Sequence, residues 1–88
     1  MSTGSNRWRL QPDRLAEAID TWMALGPTTA DRERVHEFLM DLVVDPLSRG
    51  VEDGDSGIFT GMAGPHIAVM YVPEPRTRVI VVALIAYT

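Results

Sequence analysis

The chain contains no cysteine and no lysine. Without cysteine there is no disulfide to hold a small fold and no thiolate for catalysis, and a reducing compartment is acceptable. Without lysine every positive side chain is an arginine, and the eight arginines stand against twelve acids, for a net charge of −4. The strongly basic footprint of a nucleic-acid binder is therefore absent, although a local arginine patch can still hold a few phosphates. Aromatic residues are few, two each of Trp, Tyr and Phe. Trp8 and Tyr71 are of a type that can stack on bases, but neither stands in a recognisable RNA-binding signature, and packing is the plainer use of both. Long hydrophobic runs are also missing. The longest, Val79 to Ala86, is too short to span a bilayer as a helix, and the polar start Met1-Ser2-Thr3-Gly4-Ser5-Asn6 lacks the apolar region of a signal peptide. A soluble, cytoplasmic protein is expected, without membrane association. Glycine-rich phosphate loops, nucleophile elbows, internal repeats and low-complexity tracts are absent.

What is present fits one domain over residues 1–88, enough chain for a single core under one sheet, with residues 1–5 read as a flexible lead. The acidity is uneven. Residues 11–47 hold three arginines against eight acids, whereas residues 48–88 hold Arg49, Arg76 and Arg78 against four acids.

The stretch from Val35 to Gly50 organises the rest. Val35, Phe38, Leu39, Leu42 and Val43 recur at helical spacing and form the stripe of a core-facing helix. Asp45-Pro46 ends it, because proline disfavours helical geometry at the preceding residue, and Gly50 lets the chain turn. An earlier helix runs from Pro12 to about Leu25, with Leu15, Ala18, Ile19, Trp22 and Met23 on its apolar face, stopped by Gly26-Pro27. Thr28 or Thr29 caps the second helix, and the short link makes the two an antiparallel pair. Residues 6–10 alternate as a short strand. Gly50 to Gly57 reads as a flexible acidic loop. Strands are expected near 57–63 and 66–72, then, after a Pro73–Arg78 connection, at 79–87. Ile67, Val69 and Tyr71 face one way, and His66, Ala68, Met70 and Val72 the other. The predicted fold is α+β, in the order β-α-α-β-β-β. Two antiparallel helices pack on one face of a mainly antiparallel four-stranded sheet, and the first strand lies beside the last.

The element order, the segment Leu42-Val43-Val44-Asp45-Pro46-Leu47-Ser48-Arg49-Gly50 and the two terminal strands Ile67-Ala68-Val69-Met70-Tyr71-Val72 and Val79-Ile80-Val81-Val82-Ala83-Leu84-Ile85 resemble the RelE/ParE-like toxin family of bacterial type II toxin–antitoxin systems. The resemblance spans nearly the whole chain. It implies a toxin-like protein neutralised by a wrapping antitoxin, with ribosome-bound mRNA or DNA gyrase as possible targets and mRNA interferase activity as the family's enzymatic chemistry. Two departures bear on that activity. Family strands of the Val-x-Tyr-x-Val type usually carry an arginine where this chain has Ala68, and no basic residue follows Arg78. Reduced or absent cleavage is therefore expected.

Cleaving RNA beside its 2′-hydroxyl needs a base, an acid and a cation for the phosphorane charge. His66 and Tyr87 are the candidates for proton transfer, Arg76 and Arg78 the catalytic cations, and Arg49, Arg76 and Arg78 the RNA-binding set. The alternative is that His66 is a turn-proximal strand residue, Tyr87 a strand end and the arginines solvated loop charges. Glu33, Glu37, Asp41 and Asp45 recur every four residues and form a solvated helix face or a docking surface for a basic partner. No metal site or cofactor is expected, since the acids lack a ligand-rich loop. A reading from a different class is a small non-enzymatic module that self-associates, as a homodimer for instance, through its sheet.

Overall fold

A computed structural model describes residues 7–88; the flexible lead expected at 1–5, and position 6 of the first strand, lie outside the described residues. The chain runs through strand β1 (Arg9–Leu10), helices α1 (Pro12–Met23) and α2 (Thr29–Leu42), a 3-10 turn (Pro46–Ser48), and strands β2 (Val51–Glu52), β3 (Phe59–Gly64), β4 (Ile67–Glu74) and β5 (Val79–Tyr87). The fold is α+β, with two helices and one mixed sheet in the order β1-β5-β4-β3-β2. β1 lies parallel to β5 and the other pairs are antiparallel.

The sheet has five strands rather than four. The added strand, β2, falls in the stretch read as an acidic loop, where Val51 pairs with Thr60 and Glu52 with Phe59. The approach is close. A Cβ on Gly50 would stand 2.8 Å from the Thr60 carbonyl oxygen and 2.7 Å from the Tyr71 hydroxyl, so only a residue without a side chain fits. α1 ends at Met23 rather than Leu25, and Gly26 follows at φ +70°, where a side chain would be strained. α2 ends at Leu42, with Thr28 Oγ1 accepting from the Asp31 amide at its start. β4 runs on through Pro73 to Glu74; the proline is tolerated near the strand's end, opposite Ile80.

Both helices bury their apolar stripes on one face of the sheet. Ala18 and Trp22 from α1 and Val35, Phe38, Leu39 and Leu42 from α2 meet Ile67, Val69, Tyr71, Ile80, Val82 and Ile85 from β4 and β5. The alternation expected in β4 is present, with Ile67, Val69 and Tyr71 buried and their neighbours half-buried on the other face. No helix among the described residues is long and apolar enough to cross a membrane.

Candidate functional site

The two hairpins of the sheet set the site's geometry. The β4–β5 connection carries Arg76 and Arg78 at one end, and the β3–β4 turn carries His66 at the other. The eight residues of β4 hold these ends roughly 25 Å apart at about 3.3 Å per residue. Tyr87 pairs opposite Ile67 and so belongs to the His66 end. The four side chains considered for catalysis therefore divide into two pairs and do not form one site.

Tyr87 is committed elsewhere. Its hydroxyl donates to Asp31 at 2.7 Å, and its ring lies 4.7 Å from that of Trp22. The hydrogen bond to Asp31 holds the Tyr87 hydroxyl above its ordinary pKa, with partial burial and the Asp31 charge adding to it. The same bond, with help from Thr28 and Arg34, holds Asp31 below the usual carboxylate value against an opposing effect of burial. A phenol so held is a poor proton donor or acceptor for a substrate. Arg49 is in neither pair. It lines a cleft of about 280 Å³ with Arg34, Glu37, Asp41, Ser48 and Met62, between α2 and β3. Two members of the acidic row on α2 thus line that cleft together with Arg34 of the same helix and with Arg49 from the turn after it.

Arg76 and Arg78 gather two further arginines that sequence reasoning left out. The backbone brings them together. Trp8 donates its amide to the Val43 carbonyl, Arg9 to that of Arg78, and Gln11 to that of Ile80, zipping residues 8–11 onto α2 and β5. Arg7, Arg9, Arg76 and Arg78 then surround one open depression of about 390 Å³ with Thr77. Arg78 adopts φ +55° and sets its guanidinium 6.0 Å from the centre of the Trp8 ring, a cation–π arrangement. A non-glycine residue at positive φ stores about 1 kcal/mol or more of strain. Glu74, whose carboxylate accepts from the Arg76 amide at 3.2 Å, caps the hairpin beside them. Half of the chain's positive charge thus stands at one corner of an acidic protein. The placement of β1 beside β5 was the signal that could have united these residues.

The remaining feature is the sheet face turned away from the helices. Register places Thr60, Met70 and Leu84 in one row, Met62, Ala68 and Ala86 in a second, and Val72 beside Val81. None of these side chains is titratable. Met62, at the β3 edge where it also lines the α2 cleft, is 50% exposed and Leu84 41%; Met70, Val72 and Val81 are half-buried, and the helices pack on the opposite face. Comparison of the chain with protein-family models, curated proteins and solved structures finds no match. Chemically, this arrangement can bind apolar surface across the sheet and anionic groups at its arginine corner. Among the described residues no group of three or more histidines or acids is placed to hold a metal ion.

Proposed function

We propose that this protein is the toxin-like component of a bacterial toxin–antitoxin pair, of the RelE/ParE-like kind, and that it acts by binding, with reduced or no ribosome-dependent mRNA cleavage. The observation that carries the binding part is the open sheet face, whose three rows between Ala68 and Val72 hold no titratable side chain, the charges of Arg9 and Glu74 standing in the end row with Val79. A cleavage site on a sheet needs a proton acceptor, a proton donor and a cation within reach of one phosphate. Here His66 and Tyr87 lie at one end of β4 and Arg76 and Arg78 at the other. The toxin-like part is supported by the element order and by the Asp45-Pro46 and Gly50 punctuation described above. An antitoxin segment that folds on binding would cover the exposed methionine, leucine and valine side chains of the open face.

The experiment is inducible expression in bacteria, with and without the neighbouring open reading frame. The proposal expects growth arrest that the neighbour relieves, without accumulation of cut mRNA. Unaffected growth in both strains overturns the toxin-like part. A second reading has its own support: the apolar face is suited to a second copy of the chain, which would make the protein a non-enzymatic module that self-associates through its sheet.

A further inference from the structure

We propose that two copies of this chain pack open face to open face about a two-fold axis running along β4, so that the arginine corner of each copy meets the acidic β2–β3 loop of the other. The inference rests on the self-association reading above and adds to it the geometry and the charge contacts.

The sheet order is the starting point. Arg7, Arg9, Arg76 and Arg78 lie where β1 and β5 meet the β4–β5 hairpin. The loop between β2 and β3 holds Asp53 and Asp55 and follows Glu52. Phe59, which opens β3, pairs with Tyr71 near the C-terminal end of β4, so this loop lies at the same end of the sheet as the β4–β5 hairpin. The two charge groups therefore share one end and occupy opposite flanks, with β4 as the central strand between them. At about 4.8 Å per strand they stand roughly three spacings, about 14 Å, apart. That exceeds the screening length of about 8 Å at physiological ionic strength, so within one copy they do little for each other.

Rotation by 180° about an axis parallel to β4 exchanges the flanks and keeps the ends. β4 then lies over its own copy, β5 over β3 and β1 over β2, as in aligned sheet packing. Each arginine corner comes to rest over an acidic loop, twice by symmetry. Between these contacts the uncharged rows containing Met62, Met70, Val72, Val81 and Leu84 face their counterparts. Three long strands of about seven residues give this central patch roughly 14 by 23 Å. That alone falls short of the roughly 800 Å² per partner of a standard interface, so the flanking charge contacts are needed to complete the contact area. The two parts have separate jobs: apolar burial drives association, and the charges fix which flank meets which.

The test is sedimentation equilibrium of the full chain, with two surface variants whose folding is checked by circular dichroism. One reverses the corner (Arg7→Glu, Arg9→Glu and Arg76→Glu, with Arg78 kept), and the other reverses the loop (Asp53→Lys with Asp55→Lys). The wild type is expected to dimerise and to weaken as salt rises. Each variant alone is expected to dimerise about tenfold or more weakly, since both contacts become repulsive. An equimolar mixture of the two is expected to associate more tightly than either variant alone, because in the mixed pair both contacts are attractive again. Met70→Glu, at the centre of the face, is expected to abolish association. A dimer whose affinity ignores both reversals, or a mixture no tighter than its components, overturns the proposed geometry while leaving self-association standing. A chain that stays monomeric at hundreds of micromolar overturns both, as does one that stays monomeric and binds single-stranded RNA at the arginine corner.

Discussion

Replacing Tyr71 by phenylalanine isolates one hydroxyl and makes a prediction with two parts. Tyr71 is fully buried in β4, and its Oη donates to the Pro46 carbonyl at 2.7 Å. That bond ties the turn after α2 to the middle of the sheet. The ring stays in the variant, stacked 5.6 Å from Phe59 and edge-on to Phe38 at 6.3 Å, so the packing loss is small. What remains is an unpaired carbonyl at buried Pro46, which costs about 1–3 kcal/mol at neutral pH. The second part concerns alkaline pH. Burial, with a contribution from the Asp45 charge, pushes the Tyr71 hydroxyl up to about 12 from 10.0. The folded state therefore favours the protonated form. Its contribution is full below about pH 10 and is lost as pH rises through about 12, in total about 3 kcal/mol at 1.36 kcal/mol per unit. The variant lacks this contribution. Urea denaturation of both proteins between pH 7 and pH 11.5 should show the variant less stable at pH 7 and the two curves converging at high pH. Tyr87, common to both, cancels in the difference. A constant offset across the range would refute the reasoning, as would equal stability at pH 7.

Three further perturbations test other parts of the fold. Phe38→Ala opens a cavity between α2 and the sheet, and should lower stability by about 3–5 kcal/mol in the same denaturation assay. That is enough to unfold a domain of marginal stability. Gly61→Ala brings a methyl against the Phe38 ring and to 2.6 Å from the Arg49 carbonyl oxygen, a backbone atom that cannot swing aside; a loss of about 1–3 kcal/mol is expected, and an unchanged melting temperature would contradict the close approach of β3 to the turn. In Tyr87→Phe, NMR titration should show the Asp31 carboxyl rising toward its ordinary value of 3.8. The stability that Asp31 contributes, present above that value and lost as pH falls through its lowered folded pKa, should shrink accordingly.

The helices and long strands were legible because burial on one side imposes a period that the residues display. Phe38, Leu39 and Leu42 repeat at helical spacing and are buried, and Ile67, Val69 and Tyr71 alternate and are buried. The place of β1 beside β5 follows from the need to cover a short strand, and it too was readable; the parallel direction of that pair was not among the expectations. β2 was not, because two residues carry no period; Val51 and Glu52 become a strand only through the approach that Gly50 permits to Thr60. Pro73 was misleading for a similar reason, since its turn-forming chemistry gives way to the ladder between β4 and β5. The arginine corner lay beyond local reading altogether. Arg7 and Arg9 are distant in sequence from Arg76 and Arg78 and meet only through the strand order. Residue types alone nominated His66, Tyr87, Arg76 and Arg78 together. Their distribution between the two ends of β4 depends on which hairpin each occupies.

The central claim, action by binding with reduced or no cleavage, is tested most directly by adding the purified protein to a translating-ribosome reaction and mapping mRNA 5′ ends by primer extension. The account predicts few or no new ends at protein concentrations matching the ribosomes. If weak cleavage is seen, Arg76→Ala and Arg78→Ala should reduce it, and His66→Ala should shift its pH dependence. Robust ribosome-dependent cleavage that survives all three substitutions would contradict the account.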